Sequence, residues 1–310
     1  MFSVVFPGQG SQSVGMAKNL YSSRKYIKEL FDKADNILNC SLTKLILEGP
    51  KDELDLTYNT QPAIFLVSFS IYEMIKQETD VDLSKAKYFA GHSLGEYSAL
   101  AASKSLDFDK AIKLLQIRGK AMQNSVPKGE GGMLAVLGAE IDKIKNLLTE
   151  NINKYNCYIA NDNSNGQVVL SGRNKDLDLL IEDLKKSSIK NIKLPVSAPF
   201  HCKLMKPATD VMKEEILNTN FQKPQNNIIS NVTSKETNEP EEIKKLLIKQ
   251  IESPVRWRET INYMISNKVT KIIEIGPGKV LSGLIKRIDK QLKLITINDI
   301  NDLENLNIND

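Results

Sequence analysis

The chain has 310 residues, 41% hydrophobic and 26% charged, enough to bury the core of one large domain or of one domain carrying an insertion. A formal net charge of +4 is too small to argue for nucleic acid, and three scattered cysteines with two histidines exclude a disulfide framework and a zinc site. The N-terminus lacks the basic start and apolar stretch of a signal peptide, and the longest apolar region, Pro62–Ile75, is interrupted by Ser68, Ser70 and Glu73, so a cytoplasmic protein without a membrane span is expected.

Phe2–Phe6 is a short apolar run stopped by Pro7-Gly8, which predicts a buried strand entering a loop. Arg24–Leu38 repeats apolar residues at helical spacing: Ile27, Leu30, Phe31, Ala34 and Leu38. Thr60-Gln61-Pro62 reads as a helix start with proline in the first turn. Ala86–Ala90 predicts a strand and Leu94–Ser103 a helix, and Asp107 is placed to cap the next helix, which carries Ile112, Leu115 and Arg118. From about Pro127 the pattern changes. Strands at Gly131–Leu137, Cys157–Ala160, Gln167–Ser171 and Ile189–Leu194 alternate with helices at Ile141–Leu148 and Leu177–Leu184, and an Asn/Ser/Gly turn joins the middle strands. That βαββαβ order is the ferredoxin-like pattern.

Pro195 and Pro199 mark the return to the larger unit. Helical sequence to about Leu217, a strand at Ile228–Asn231, helices at Pro240–Gln250 and Trp257–Ile265, and strands at Lys271–Ile275 and Leu292–Ile297 follow. The predicted fold is α/β: an α/β-hydrolase-like, mostly parallel sheet flanked by helices over 1–127 plus 197–310, with a ferredoxin-like subdomain inserted over 128–196. Function is expected in the cleft between them. The Asn- and Asp-rich stretch from Asn298 reads as a loose terminus.

Chemistry enters at Gly91-His92-Ser93-Leu94-Gly95, a G-x-S-x-G nucleophile elbow between a predicted strand and a predicted helix. Its glycines permit a sharp backbone and close helix–strand packing. A serine hydroxyl needs an adjacent base. Of the two histidines, His92 precedes Ser93 on the turn and should point away, which leaves His201 as general base. The N–H of Leu94, at a helix N-terminus, is the natural first oxyanion donor. Pro7-Gly8-Gln9-Gly10-Ser11-Gln12 can offer the N–H of Gln9 as a second, or be a plain turn. It lacks the third glycine of a dinucleotide loop, and Gly278-Lys279 lacks the Ser/Thr and spacing of a P-loop.

No Asp or Glu stands out to orient His201; Asp210 lies too far along its helix, and a backbone carbonyl can serve instead, which favours a Ser-His dyad. Arg118 follows the apolar segment Leu114-Leu115-Gln116-Ile117, and its fork suits a carboxylate, with an arginine reaching to solvent as the alternative. Cys202 beside His201 reads as a plain buried cysteine. Lys185, Lys186, Lys190 and Lys193 form one basic cluster, and Lys203 with Lys206 another; both fit an acidic partner or simple solvation.

Taken in order, several segments resemble the malonyl-CoA:acyl carrier protein transacylases, loading enzymes of type II fatty-acid synthesis. They are Phe6-Pro7-Gly8-Gln9-Gly10-Ser11-Gln12, Gln61-Pro62-Ala63, Gly91-His92-Ser93-Leu94-Gly95-Glu96-Tyr97-Ser98-Ala99, Arg118-Gly119-Lys120-Ala121-Met122, Gly166-Gln167-Val168-Val169, Pro195-Val196-Ser197-Ala198-Pro199-Phe200-His201, Pro254-Val255-Arg256-Trp257 and Glu274-Ile275-Gly276-Pro277-Gly278-Lys279-Val280-Leu281. The resemblance implies that Ser93 carries a malonyl ester, His201 shuttles the proton, and the amides of Gln9 and Leu94 form the oxyanion hole. It implies that Arg118 clamps the malonyl carboxylate and that the backbone carbonyl of Gln250 orients His201. Asn163 would contact substrate from the subdomain, and Phe200 would crowd an α-methyl group, favouring malonyl over methylmalonyl. Asp162 and the asparagines around it are idiosyncratic. Malonyl-CoA is then the substrate and acyl carrier protein the partner, with no permanently bound cofactor or metal, in a chain expected to be monomeric and to serve fatty-acid biosynthesis. The competing readings are a serine hydrolase using the same dyad and a non-catalytic docking module.

Overall fold

The computed structural model describes residues 1–196 and 198–306; Ser197, from a segment carrying the resemblance, and residues 307–310, from the expected loose tail, lie outside the described residues. Among the described residues ten strands run in chain order: β1 (Phe2–Phe6), β2 (Tyr88–Gly91), β3 (Gly131–Leu137), β4 (Cys157–Ser164), β5 (Gln167–Arg173), β6 (Lys190–Lys193), β7 (Asn227–Ile229), β8 (Glu236–Thr237), β9 (Lys271–Ile275) and β10 (Lys293–Ile297).

Six of them form one sheet in the order β10-β9-β1-β2-β7-β8, parallel except for the β7–β8 edge pair. Side chains alternate between its faces, as the pleat requires. Phe2, Val4, Phe6, Phe89 and Ile273 enter one apolar cluster with the helices Thr57–Glu78 and Phe108–Gln123. Val5, Tyr88, Ala90 and Ile272 enter another with the helices Trp257–Ser266 and Val280–Ile288. Burial on both faces explains why these strands read as unbroken apolar runs. No helix among the described residues is long and apolar enough to cross a membrane.

The other four strands form an antiparallel sheet in the order β4-β5-β3-β6. With the helices Ile141–Glu150 and Asn174–Lys186 this is the ferredoxin-like βαββαβ arrangement. Leu134, Val136, Val168 and Leu170 pack on those helices. The alternate residues Met133, Ala135, Val169 and Ala160 join the apolar cluster of the larger sheet.

Four local readings are corrected. The helix read from Thr60 begins at Thr57, because the Gln123 side chain accepts the Thr57 N–H at 2.8 Å from another helix. Asp107 occupies the N-cap position of its helix but makes no side-chain cap bond. β4 continues past Ala160 to Ser164, with two register shifts, because Asn161 bridges to Val255 outside the sheet and Asp162 pairs with Arg258. The stretch from Asn298 is ordered as far as it is described: Asp299 caps a 3₁₀ helix over Ile300–Asn305, and Leu306 is buried.

The Val255 segment joins the two sheets. Val255 N–H donates to Ala160 O at 2.8 Å and Asp162 N–H to Val255 O at 2.9 Å. The buried Asp162 carboxylate takes Arg258 Nε and Nη2 at 2.9–3.1 Å. Asp162→Ala is expected to lower stability by about 2 kcal/mol, less than the loss for a fully enclosed pair because Arg258 keeps some solvent contact. Urea unfolding measures this, and an unchanged midpoint would show that the pair holds nothing together.

Candidate active site

Ser93 lies where β2 turns into the helix Gly95–Ala102, with φ of 54°, a left-handed conformation costly for a residue with a Cβ. The flanking glycines are there for space. A Cβ on Gly91 would sit 1.9 Å from the Gly95 backbone, and one on Gly95 would sit 2.3 Å from the Phe6 carbonyl oxygen of the neighbouring strand. The turn is braced from outside: Ser93 N–H donates to Asn231 Oδ1 at 2.7 Å, and Asn231 Nδ2 donates back to Gly91 O at 2.7 Å.

His201 arrives from the segment after β6, also at positive φ, 56°. Its Nε2 is 2.8 Å from Ser93 Oγ, and its Nδ1 is 2.9 Å from the Gln250 carbonyl oxygen. A carbonyl can only accept, so Nδ1 carries the proton and Nε2 presents a lone pair to the serine. Gln250 is the last residue of the helix Pro240–Gln250 and falls on the same face as the buried Ile243, Leu246 and Leu247. His92 points away from the serine, as expected. Its Nε2 lies 2.9 Å from Asn163 Oδ1 and its ring tilts against Trp257.

Arg118 is fully buried. Nη1 donates to Gln61 Oε1 at 2.7 Å, and Nη2 donates to Gln250 Oε1 at 2.8 Å and to Ser93 Oγ at 3.1 Å. The alternative of an arginine reaching solvent is therefore excluded. Because Arg118 donates to Oγ, the serine proton is left to point at His201 Nε2. The backbone N–H groups of Gln9 and Leu94 make no hydrogen bond to any described residue, and both residues line the pocket in front of Ser93. Asn163 and Phe200 line it as well, with Met133 and Val169 from the small sheet.

Burial, with Arg118 adding its positive charge, pushes His201 down to about 3, so the imidazole is unprotonated at ordinary pH and its Nε2 is free to accept the serine proton. The acid limb of kcat/KM for acyl transfer is accordingly expected below pH 5. A half-maximal rate near pH 6.5 would show an imidazole in its ordinary range. Cys202 is buried with Sγ toward Pro199 O and its thiol pushed up by burial to about 11, which suits a packing role. In the basic clusters, Lys186 pairs with Asp183, Lys193 with Asp178 and Lys206 with Asp210, so part of that charge is neutralised locally.

Reading the sequence missed Gln61, Glu96, Asn231 and the Gln250 side chain. Glu96 is buried, and its Oε2 accepts Asn231 N–H at 3.1 Å and Gln250 Nε2 at 2.8 Å. Gln250 offered a signal, since it occupies the next position of an Ile243, Leu246, Leu247 apolar stripe.

Residues 3–302 match the acyl transferase domain family. A malonyl CoA-acyl carrier protein transacylase of Bacillus subtilis (strain 168) is 43% identical over 302 residues, covering 97% of this chain and 94% of its own length. The protein of the same name from Escherichia coli (strain K12) is 38% identical over 299 residues, 96% of either chain. Among solved structures, an acyl-carrier-protein-S-malonyltransferase from Bartonella henselae aligns with a TM-score of 0.95 at 40% identity, covering 98% of this chain and 97% of that one. A solved complex of a type II PKS acyl-carrier protein with its malonyl-transacylase aligns with a TM-score of 0.93 at 37% identity, covering 98% and 97%. The chain belongs to the acyl transferase domain family, among the malonyl CoA-acyl carrier protein transacylases.

Proposed function

We propose that this chain moves a malonyl group from malonyl-CoA to the phosphopantetheine thiol of acyl carrier protein through an ester on Ser93. The observation that carries the reading is the meeting of two groups at one oxygen: Ser93 Oγ lies 2.8 Å from the His201 imidazole and 3.1 Å from the Arg118 guanidinium. A base for the nucleophile thus sits beside a buried cation suited to a carboxylate.

Malonyl-CoA enters the pocket and its free carboxylate takes the Arg118 fork, displacing the serine contact. Ser93 Oγ attacks the thioester carbonyl as His201 Nε2 takes its proton. The developing oxyanion receives the N–H groups of Gln9 and Leu94, backed by the helix N-terminus. The C–S bond breaks, and the CoA sulfur leaves with the proton from Nε2. The carrier's thiol then gives its proton to Nε2 and attacks the ester carbonyl; the bond to Ser93 Oγ breaks, and Oγ takes that proton back from Nε2. The Gln250 carbonyl holds the imidazole in one tautomer throughout. Asn163, linked to His92, contacts the acyl chain, and Phe200 narrows the space beside the α-carbon. The two sheets form two structural units, 1–127 plus 197–310 and 128–196, with the reaction in the cleft between them. No cofactor beyond the substrate is called for, and the chain acts as a monomer in the cytoplasm, serving fatty-acid biosynthesis.

Incubation with malonyl-, acetyl- and methylmalonyl-CoA followed by intact-mass measurement tests this. One malonyl adduct per chain is expected from the first, with little product from the others, and discharge on adding holo-acyl carrier protein. An ester lost equally fast in plain buffer would make the protein a hydrolase.

A further inference from the structure

Arg118 is a buried cation that no carboxylate of the described residues touches; its acceptors are two amide oxygens and a hydroxyl. A carboxyl nevertheless stands one amide away. Gln250 Oε1 accepts from Arg118 Nη2 at 2.8 Å, while Gln250 Nε2 donates to Glu96 Oε2 at 2.8 Å. The amide fits only this way round, because the reverse sets N–H against guanidinium and oxygen against carboxyl. Asn231 N–H binds the same Oε2, and the Ser230 hydroxyl also faces the carboxyl. Glu96 is 2% exposed and takes no part in the proton transfers described above.

We propose that Glu96 is a specificity-determining positioning residue that trades charge with the substrate: it is the counter-charge of Arg118 while the site is empty, and it takes up a proton when a substrate carboxylate seats on Arg118. This rests on the malonyl reading above. Two carboxylates facing one guanidinium in a site poor in water leave an uncompensated negative charge, and the less directly held carboxyl is the one that neutralises. The substrate carboxylate would touch Arg118 directly, whereas Glu96 reaches it only through Gln250. No covalent bond changes. Glu96 carboxylate gains one proton from solvent, on the oxygen not already engaged by Gln250 and Asn231, and returns it when the malonyl group leaves.

The groups around Glu96 leave it as the one that titrates. Gln250, Asn231 and Ser230 are neutral, and Arg118 stays cationic. Tyr97, on the same helix, is a phenol pushed up to about 12 by burial, and His201 is held neutral. Burial raises Glu96 itself to about 7.

Acetyl carries no carboxylate and needs no such proton. Below pH 7 Glu96 is already neutral and malonyl loads without it. Above pH 7 each malonyl ester must draw a proton from an ever scarcer supply, so malonyl loading falls relative to acetyl by up to about tenfold per pH unit. The test is the equilibrium between acyl-CoA plus enzyme and acyl-enzyme plus CoA, read by intact mass on the full chain from pH 6 to 9. Acetyl serves as the reference, so that ionisation of the CoA thiol cancels in the ratio. The malonyl:acetyl ratio is expected to drop several-fold or more between pH 7 and 8.5 in the native protein. In Glu96→Gln, which can still accept from Gln250 and Asn231, it is expected to stay flat.

A flat ratio in the native protein, or an unchanged slope in Glu96→Gln, overturns the proposal. If the variant fails to fold, a pH indicator in weak buffer on the native protein decides: proton uptake on adding malonyl-CoA but not acetyl-CoA supports the proposal, and equal signals overturn it. Failure to form any malonyl ester at any pH would instead overturn the transacylase reading, and this inference with it.

Discussion

Arg118→Ala is expected to cut malonyl transfer by about a hundred- to several-thousand-fold while changing acetyl transfer far less. Removing one partner of a buried ion pair typically costs about 3–5 kcal/mol, and each ~1.4 kcal/mol is a factor of ten in rate. The selectivity should fall with the rate, because the clamp penalises an acyl group that leaves the guanidinium without a carboxylate. Alanine also removes the donors to Gln61 Oε1, Gln250 Oε1 and Ser93 Oγ. Some loss of stability is therefore expected and must be separated from the chemistry. The malonyl:acetyl ratio of kcat/KM does this, since a loosened fold lowers both substrates together. Arg118→Lys sharpens the comparison. Lysine keeps a positive charge but loses the planar fork, so it cannot serve Gln61, Gln250 and a bidentate carboxylate together. Its ratio should fall between those of the native protein and the alanine variant. A ratio that stays at the native value in both variants would show that Arg118 does not hold the substrate carboxylate.

The parts of this site that were legible in the sequence are those whose chemistry forces a local pattern. Gly91 and Gly95 flank Ser93 because a Cβ at either would strike backbone, and that constraint is written within five residues. His201 was found because imidazoles are scarce. Arg118 stood out because a charge at a buried helix position is costly and so noticeable. The unbroken apolar run of β1 was readable because both faces of its sheet are covered.

What stayed hidden is what distant partners supply. β4 could be followed only to Ala160, since Asn161, Asp162 and Asn163 are polar and look like a turn; Val255, Arg258 and His92 satisfy them from elsewhere in the chain. The start of the helix at Thr57 depends on Gln123 for the same reason. Glu96 looked like an ordinary acidic residue in a first helical turn. Its burial, and its link to Arg118 through Gln250, exist only once three separate segments meet.

His201→Ala is expected to slow formation of the Ser93 ester by about 10²–10⁴-fold, the usual worth of a positioned general base, without abolishing it. The residual rate has an identified source. The amides of Gln9 and Leu94, and the Arg118 fork proposed to seat the malonyl carboxylate, do not depend on the imidazole. With no base in the site, the serine proton must go to solvent, so the residual rate should climb with pH where the native rate is level. The same variant should change acid stability in a fixed direction. Native His201 is held at about 3 against an ordinary value of 6.5. The unfolded chain therefore binds a proton that the folded chain refuses, and stability falls as pH drops from 6.5 toward 3. Glu96, raised to about 7, has the opposite sign: the folded chain keeps a proton that the unfolded chain loses, so its contribution falls as pH rises from 4.5 to 7. Removing His201 exposes that second slope, so the variant should lose less stability on acidification than the native protein, whatever its stability at pH 7. Stopped-flow acylation and urea midpoints at pH 5 and pH 7 measure the two effects separately. An alanine variant that acylates within about tenfold of the native rate would remove His201 from the proton path, because a base at hydrogen-bond distance is worth more than that.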